Sequence, residues 1–235
     1  MNFLEFKQTL NAQHIVINEE QILQFKKYLN FLQEWNKVMD LTAIDEYEAI
    51  IEKHFYDCLL SSLAVNFTNQ TLLDIGSGAG FPGLVLKIAY PNLNVTLLEP
   101  TNKRCKFLNA VINDLNLTGI KVINKRAEEY INENQRETYD IVTSRAVSRL
   151  NILLELSVPF LKKDGYMLAL KGKNVDDEIN DAKNALILLD SEIVQCLRTK
   201  LPSESENRTI LLIKKNKKTP IRYPRNYGSI KKKPL

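Results

Sequence analysis

LLDIGSGAGFPG, running from Leu72 to Gly83, reads as an apolar strand carrying one acid that breaks into a glycine-rich turn and then feeds an amphipathic helix. Glycine has no Cβ and tolerates positive φ, so Gly76, Gly78 and Gly80 can fold the chain tightly. The amide hydrogens at the start of the following helix then face whatever is bound against the bare backbone. Outward from this point, short apolar strands alternate with helices from about Leu72 to Lys214, as a mostly parallel, doubly wound α/β sheet requires. The strands expected are 72–76, 95–99, 121–124, 140–144, 166–171, 193–198 and 209–214. Only the polar stretch TKLPSESENR separates the last two, so the sheet is expected to end in an antiparallel hairpin.

On the amino-terminal side the pattern is helical. Asn18 with Gln21 three residues on is a capping signature, and Ile22, Leu23, Phe25, Leu29, Leu32 and Trp35 follow at helical spacing. A second amphipathic helix is expected over 46–63. Residues 1–67 thus read as a helical cap on a core of 68–214, with 215–235 as a tail. The chain of 235 residues is 44% hydrophobic, enough for one continuous core. No apolar run is long enough to span a membrane and no signal-peptide pattern opens the chain, so a cytoplasmic protein is expected. Cys58, Cys105 and Cys196 are odd in number and far apart, which supports neither a disulfide framework nor a metal site. The net charge of +4 is unevenly spread: from Lys214 to Leu235 there are many lysines and arginines and no acid. That tail reads as an extended segment lying on the body or on a partner, either solubilising or seeking a polyanion, with Tyr223 and Tyr227 able to stack or to pack on the body.

Ligands of open α/β sheets bind beyond the carboxyl ends of the strands, where strand order reverses, and the glycine turn marks that point. Gly78, Gly80 and Gly83 satisfy the GxGxxG spacing of a dinucleotide site, with Glu99 near the distance of a ribose-binding acid. Asp74 inside the strand, the position of the unit well into the chain and the terminal hairpin tilt the reading towards S-adenosylmethionine. Glu99 closes the second strand, where a carboxylate can accept both ribose hydroxyls, and Pro100 and Thr101 would lie over the ribose or the adenine edge. Ala127 and Glu128 could supply backbone groups for that edge, while Phe81 and Pro82 either cover the cofactor or pack beneath the cap. The fourth strand ends in Ser144, Arg145 and Ala146 rather than in an Asn or Asp followed by Pro-Pro and an aromatic residue, which disfavours exocyclic-amine methylation. There is also no Pro-Cys nucleophile for pyrimidine chemistry. Arg145 and Arg149 offer guanidinium forks suited to phosphate, carboxylate or a guanine edge, or else to salt bridges at a helix start.

The motifs WNKVMDLTAI (35–44), HFYD (54–57), DIGSGAGFPG (74–83), KRCKFL (103–108), RAEEY (126–130), SRA (144–146), ALKG (169–172) and YPR (223–225) occur in order along the chain. This combination resembles the RsmG (GidB) family of bacterial methyltransferases that modify guanine N7 in small-subunit ribosomal RNA. The resemblance implies a class I, Rossmann-like fold and S-adenosylmethionine bound by Gly76, Phe81, Glu99, Pro100, Thr101, Ala127, Glu128 and Arg145, to which the reading of the glycine turn adds Gly78 and Gly80. Small-subunit RNA or the ribosomal subunit is the implied partner, with Lys103, Lys171, Lys173, Arg222 and Arg225 as candidate contacts and no metal. Arg145 and Arg149 are the candidates nearest the chemistry, and a monomer is expected. Asp40 stands where the family usually has Asn, and Cys58 where it usually has Ser; His54 and Asp57 read as a hydrogen-bonded structural pair rather than as catalysts, a choice the resemblance does not settle. Without the resemblance, a methyltransferase for protein or metabolite, a nicotinamide oxidoreductase and a non-catalytic ribosome-binding protein stay open.

Overall fold

Each apolar run forms a strand. The computed structural model describes residues 1–172, 175–203 and 207–235, so Lys173, one of the RNA candidates, lies outside the described residues. Strands β1 (Thr71–Ile75), β2 (Asn94–Leu98), β3 (Ile120–Ile123), β4 (Tyr139–Arg145), β5 (Leu161–Lys171), β6 (Ser191–Lys200) and β7 (Asn207–Lys215) make one sheet in the order β3-β2-β1-β4-β5-β7-β6. The first five are parallel, and β7 is antiparallel to both β5 and β6. β5 starts five residues before its apolar run, because a register shift between Tyr139 and Ile141 lets Leu161 pair before the glycine at 165. The order reverses between β1 and β4, which opens a crevice at their carboxyl ends.

Helices cover both faces. Eight of them precede β5: α1 (Phe3–Ala12), α2 (Glu19–Met39), α3 (Tyr47–Ile50), α4 (Asp57–Leu59), α5 (Gly83–Ala89), α6 (Asn102–Asp114), α7 (Ala127–Tyr130) and α8 (Leu150–Ser157). Then come α9 (Val175–Asp181), α10 (Lys183–Leu188) and α11 (Tyr227–Lys232). Successive strand residues feed opposite cores: Leu72 packs with Phe6, Phe25 and Phe55 under the amino-terminal helices, and Leu73 with Leu154 and Phe160 on the other face.

Asn18 and Gln21 cap α2 reciprocally, as the sequence foretold, with Asn18 Oδ1 accepting from the Gln21 amide at 2.9 Å. The Gln21 side chain reaches further, donating from Nε2 to the Ile88 and Ala89 carbonyls at 2.9 and 2.8 Å. One residue therefore satisfies the start of α2 and the end of α5. Asp40 ends α2 at φ 50°, the left-handed region that Asn and Asp tolerate best among residues with a Cβ. The helix expected over 46–63 is continuous but changes pitch, widening to a π-helix over Ile51–Tyr56 and tightening to 3₁₀ over Leu60–Leu63. α1 is an addition to the sequence reading, begun by an Asn2–Glu5 capping box and buried through Phe3, Phe6 and Leu10.

The tail lies on the body, one of the two placements expected of it, and ends in a short helix that the extended reading did not include. β7 runs antiparallel, so the chain beyond Lys215 starts at the amino-end edge of the sheet, crosses α8 and closes with α11. Lys215 is fully buried, donating to Glu137 at 2.9 Å and to the Leu161 carbonyl at 2.8 Å. Arg225, expected to meet RNA, instead gives its backbone N–H, Nε and Nη2 to the fully buried Glu155 carboxylate at 2.9, 2.8 and 2.6 Å. No helix among the described residues is long and apolar enough to cross a membrane.

At the heart of the sheet Asp74 is fully buried, with Oδ2 accepting from the Gly83 amide at 2.9 Å and Oδ1 without a hydrogen-bond partner. Burial pushes its carboxyl up to about 7, against the pull of the Gly83 amide. Two outcomes follow. Arg225→Ala strands the Glu155 charge and should lower unfolding free energy by about 3 kcal/mol, read as a lower urea midpoint. Between pH 4 and 7 the unfolded Asp74 releases its proton while the folded one keeps it, so the contribution of this group to stability falls with rising pH. The stability of Asp74→Asn relative to wild type should therefore climb across that window and level off above it, measured by denaturant titration at each pH.

Candidate functional site

The glycine turn is built by constraints at both ends. Gly76 sits at φ 69°, and a Cβ there would stand 2.5 Å from Val147 Cγ2, so the backbone passes where a side chain cannot. Gly80, at φ 102°, would place a Cβ 2.6 Å from the Tyr28 hydroxyl. Tyr28 itself is fully buried and donates its hydroxyl hydrogen to the Ala79 carbonyl of the same turn. The amino-terminal helices thereby hold the turn from behind.

Glu99, following β2, holds it from the front. Its Oε2 accepts from the Gly78 amide at 2.9 Å and its Oε1 from the Thr101 amide at 2.8 Å, with only 2% of the residue exposed. Each oxygen keeps a further lone pair. Around these groups lies a cavity of about 410 Å³, lined by Gly76, Gly78, Phe81, Glu99, Pro100, Thr101 and Arg145, all singled out from the sequence. Leu41, Thr42, Ala79, Arg104 and Val147 also line it and escaped the sequence reading. The WNKVMDLTAI motif was the signal for Leu41 and Thr42, but nothing local told that this loop folds over a strand end some 30 residues later. Gly80 stands in the turn outside the lining. Ala127 and Glu128 occupy the first turn of α7, beyond β3, and do not line the cavity. Asp74 does not reach it either and serves the turn through Gly83.

Arg145, at the end of β4, forms the partition between this cavity and a second one. Its Nη1 donates to the Lys53 carbonyl at 2.9 Å and to Asp57 Oδ2 at 3.1 Å, and its Nη2 to His54 Nδ1 at 2.8 Å. A guanidinium only donates, so His54 carries its hydrogen on Nε2 and gives it to Thr42 Oγ1 at 2.9 Å. Burial, reinforced by the Arg145 charge, drops the His54 pKa to about 3, and the ring is neutral. His54 and Asp57 are therefore two ligands of one arginine rather than a pair bonded to each other. The π-helical stretch puts both on the same side, and His54 stacks on Phe81 at 4.3 Å between ring centroids while Arg145 lies 4.9 Å from the same ring. Phe81 thus packs beneath the cap and walls the cavity at once.

The second cavity, about 630 Å³, opens on the other side of Arg145 between the ends of β4, β5 and β7. Arg149, Lys171 and Arg208 bring positive charge to it, Asp57 and Glu178 negative charge, and Ile44, Leu170 and Ile210 an apolar floor. Arg149 is exposed and ion-paired with Asp181. Lys171 is nearly buried, 8% exposed in its side chain. Lys103 is exposed on α6, and Arg222, also exposed, lies over the Tyr223 ring in the tail; neither lines the cavities. Among the described residues no group of acids, histidines and cysteines could hold a metal ion.

Comparison with known proteins fits this architecture. A family profile described as rRNA small subunit methyltransferase G (GidB) matches residues 21–209. The ribosomal RNA small subunit methyltransferase G of Lachnoclostridium phytofermentans is 46% identical over 233 residues, covering 98% of this chain and 96% of that one. Its counterpart of the same name in an Exiguobacterium species is 43% identical over 237 residues, with 100% of both chains covered. Among solved structures, M. jannaschii TYW2 in complex with AdoMet superposes with a TM-score of 0.59 at 14% identity, over 74% of this chain and 80% of that one. A methyltransferase from Pyrococcus furiosus gives 0.58 at 15% identity, over 82% and 98%. At such identities these two speak for the fold alone, a class I methyltransferase fold. With its profile spanning most of the chain and relatives alike from end to end, this chain belongs to the rRNA small subunit methyltransferase G family.

Proposed function

We propose that the protein transfers a methyl group from S-adenosylmethionine to N7 of a guanine in small-subunit ribosomal RNA, acting as a monomer in the cytoplasm. The observation that carries this reading is the pair of adjoining cavities at the strand-order reversal of a chain in this family, one walled by the glycine turn and Glu99, the other rimmed with cations. The residues present fit the cofactor. Bare backbone at Gly76 and Gly78 admits a flat ligand, and the nearly buried Glu99 keeps lone pairs for two ribose hydroxyls after binding its two amides. Pro100 and Thr101 lie on the same wall.

When bound, S-adenosylmethionine supplies an electrophilic methyl carbon on a sulfonium. The acceptor must then bring a lone pair, and guanine N7 does so with no proton to lose. The side chains at the partition agree with that economy. Both His54 nitrogens are engaged, Asp57 is ion-paired to Arg145 and Asp74 is sealed off, so none of the three stands ready as a general base. What remains for this chain to do is hold the acceptor in line, an effect worth up to ~7–11 kcal/mol in well-oriented systems. The new charge appears on the base, and Arg145 is already turned to His54 and Asp57 rather than left to oppose it.

RNA affinity, on this reading, comes from Lys103, Arg149, Arg222 and the lysines of α11, whose charges face solvent, with Arg225 removed from the set. Binding should weaken with added salt. Glu99→Ala should raise the S-adenosylmethionine dissociation constant at least tenfold, in line with ~1.5–3 kcal/mol for hydrogen bonds to a charged group, read by calorimetry on protein with unchanged circular dichroism. Small-subunit RNA from cells lacking the gene should be short of one 7-methylguanosine by nucleoside mass spectrometry, restored by the wild-type gene; an unaltered nucleoside profile would end the proposal.

A further inference from the structure

Lys171 and Glu178 form an ion pair in the wall of the second cavity that the partition and the cofactor cavity do not use. Lys171 closes β5 at its carboxyl end, and Glu178 lies on α9. Two of the three ammonium hydrogens are spent, on the Ser148 carbonyl at 2.7 Å and on Glu178 Oε2 at 2.6 Å. The same Oε2 also accepts from the Leu150 amide at 2.8 Å, which fixes the carboxylate against the start of α8. Oε1 makes no hydrogen bond among the described residues, and the two side chains are 8% and 19% exposed. The pair therefore presents one remaining N–H donor beside one remaining acceptor, at fixed spacing, on the wall of a cavity with an apolar floor.

That pattern matches one purine. Guanine offers O6 as an acceptor next to N1–H and the 2-amino group as donors, and adenine offers the reverse, an amino group next to a bare N1. A base taken out of its stack is read along this edge. Resting on the methyl-transfer reading above, we infer that the Lys171–Glu178 pair is the element that selects guanine, with Lys171 donating to O6 and Glu178 Oε1 accepting from N1–H. N7 lies on the five-membered ring beside O6, so it is left unbonded for the methyl group. An adenine in the same place sets donor against donor and lone pair against lone pair, and a site built to hydrogen-bond its substrate rejects such a mismatch strongly. The apolar residues Leu170 and Ile210 give the flat ring a surface to lie on.

The test uses reconstituted small subunits whose RNA carries guanosine or 2,6-diaminopurine riboside at the position the wild-type enzyme methylates. Diaminopurine keeps N7 and the 2-amino group and reverses only the two positions facing the pair. Wild type should prefer guanosine by roughly a hundredfold in kcat/KM. In Glu178→Gln, whose amide can donate as well as accept, that preference should fall at least tenfold, with the S-adenosylmethionine dissociation constant unchanged. Glu178→Asp, which keeps the charge and withdraws Oε1 by one methylene, should also narrow the preference and serves if the Gln variant does not fold. A wild-type enzyme that methylates both bases within about threefold of each other overturns the inference, as does a folded variant with the full preference intact. If wild type forms no 7-methylguanosine at all, the failure lies with the methyl-transfer reading and not with this pair.

Discussion

Two carboxylates gripping backbone amides hold the turn on which the site depends. Asp74 ties the start of α5 to β1, one residue before the strand ends, through the Gly83 amide, and Glu99 ties the turn to the end of β2 through Gly78. Between them the chain runs at positive φ at Gly76, Gly78 and Gly80, a path only glycine follows without strain. The cavity beside Glu99 is the hollow left by that path. Because buried amides without partners are costly, loss of either carboxylate would reshape the hollow as well as remove a contact.

The amino-terminal helices are part of this machinery. Tyr28 and Gln21 on α2 brace the turn and the far end of α5, and the π-helical stretch brings His54 and Asp57 to one arginine. A wall of Phe81, His54 and Arg145 then separates the two cavities while leaving them adjacent, which is the geometry a transfer between two bound molecules needs. Widening a helix by one residue per turn is a recurrent way to turn side chains into such a site.

The charge of the tail divides into two uses. Lys215 and Arg225 are consumed in pairing with Glu137 and Glu155, and this fastens the carboxy-terminal segment across α8. Buried pairs of this sort add little net stability, yet they are expensive to break, so they fix where the segment lies. Lys231 and Lys232 on α11 stay in solvent, where a polyanion can meet them.

Local pattern was enough for the strand positions, the terminal hairpin, the Asn18 cap and the placing of Glu99, Pro100 and Thr101 on the wall of one cavity. These depend on periodicity, on glycine's special φ and on strand ends falling at one edge of a parallel sheet, all written in consecutive residues. What each charged side chain meets was decided elsewhere. Arg225 and Lys171 look like any surface cations in sequence, and only the fold sets Glu155 and Glu178 opposite them, since those partners are 70 and 7 residues away on other elements. His54 and Asp57 suggested a pair and became two ligands of Arg145, 91 and 88 residues distant. Backbone preference acts between neighbours along the chain, whereas the pairing of buried charges is settled by packing, and that is why the fold was legible from the residues and the wiring of the site was not.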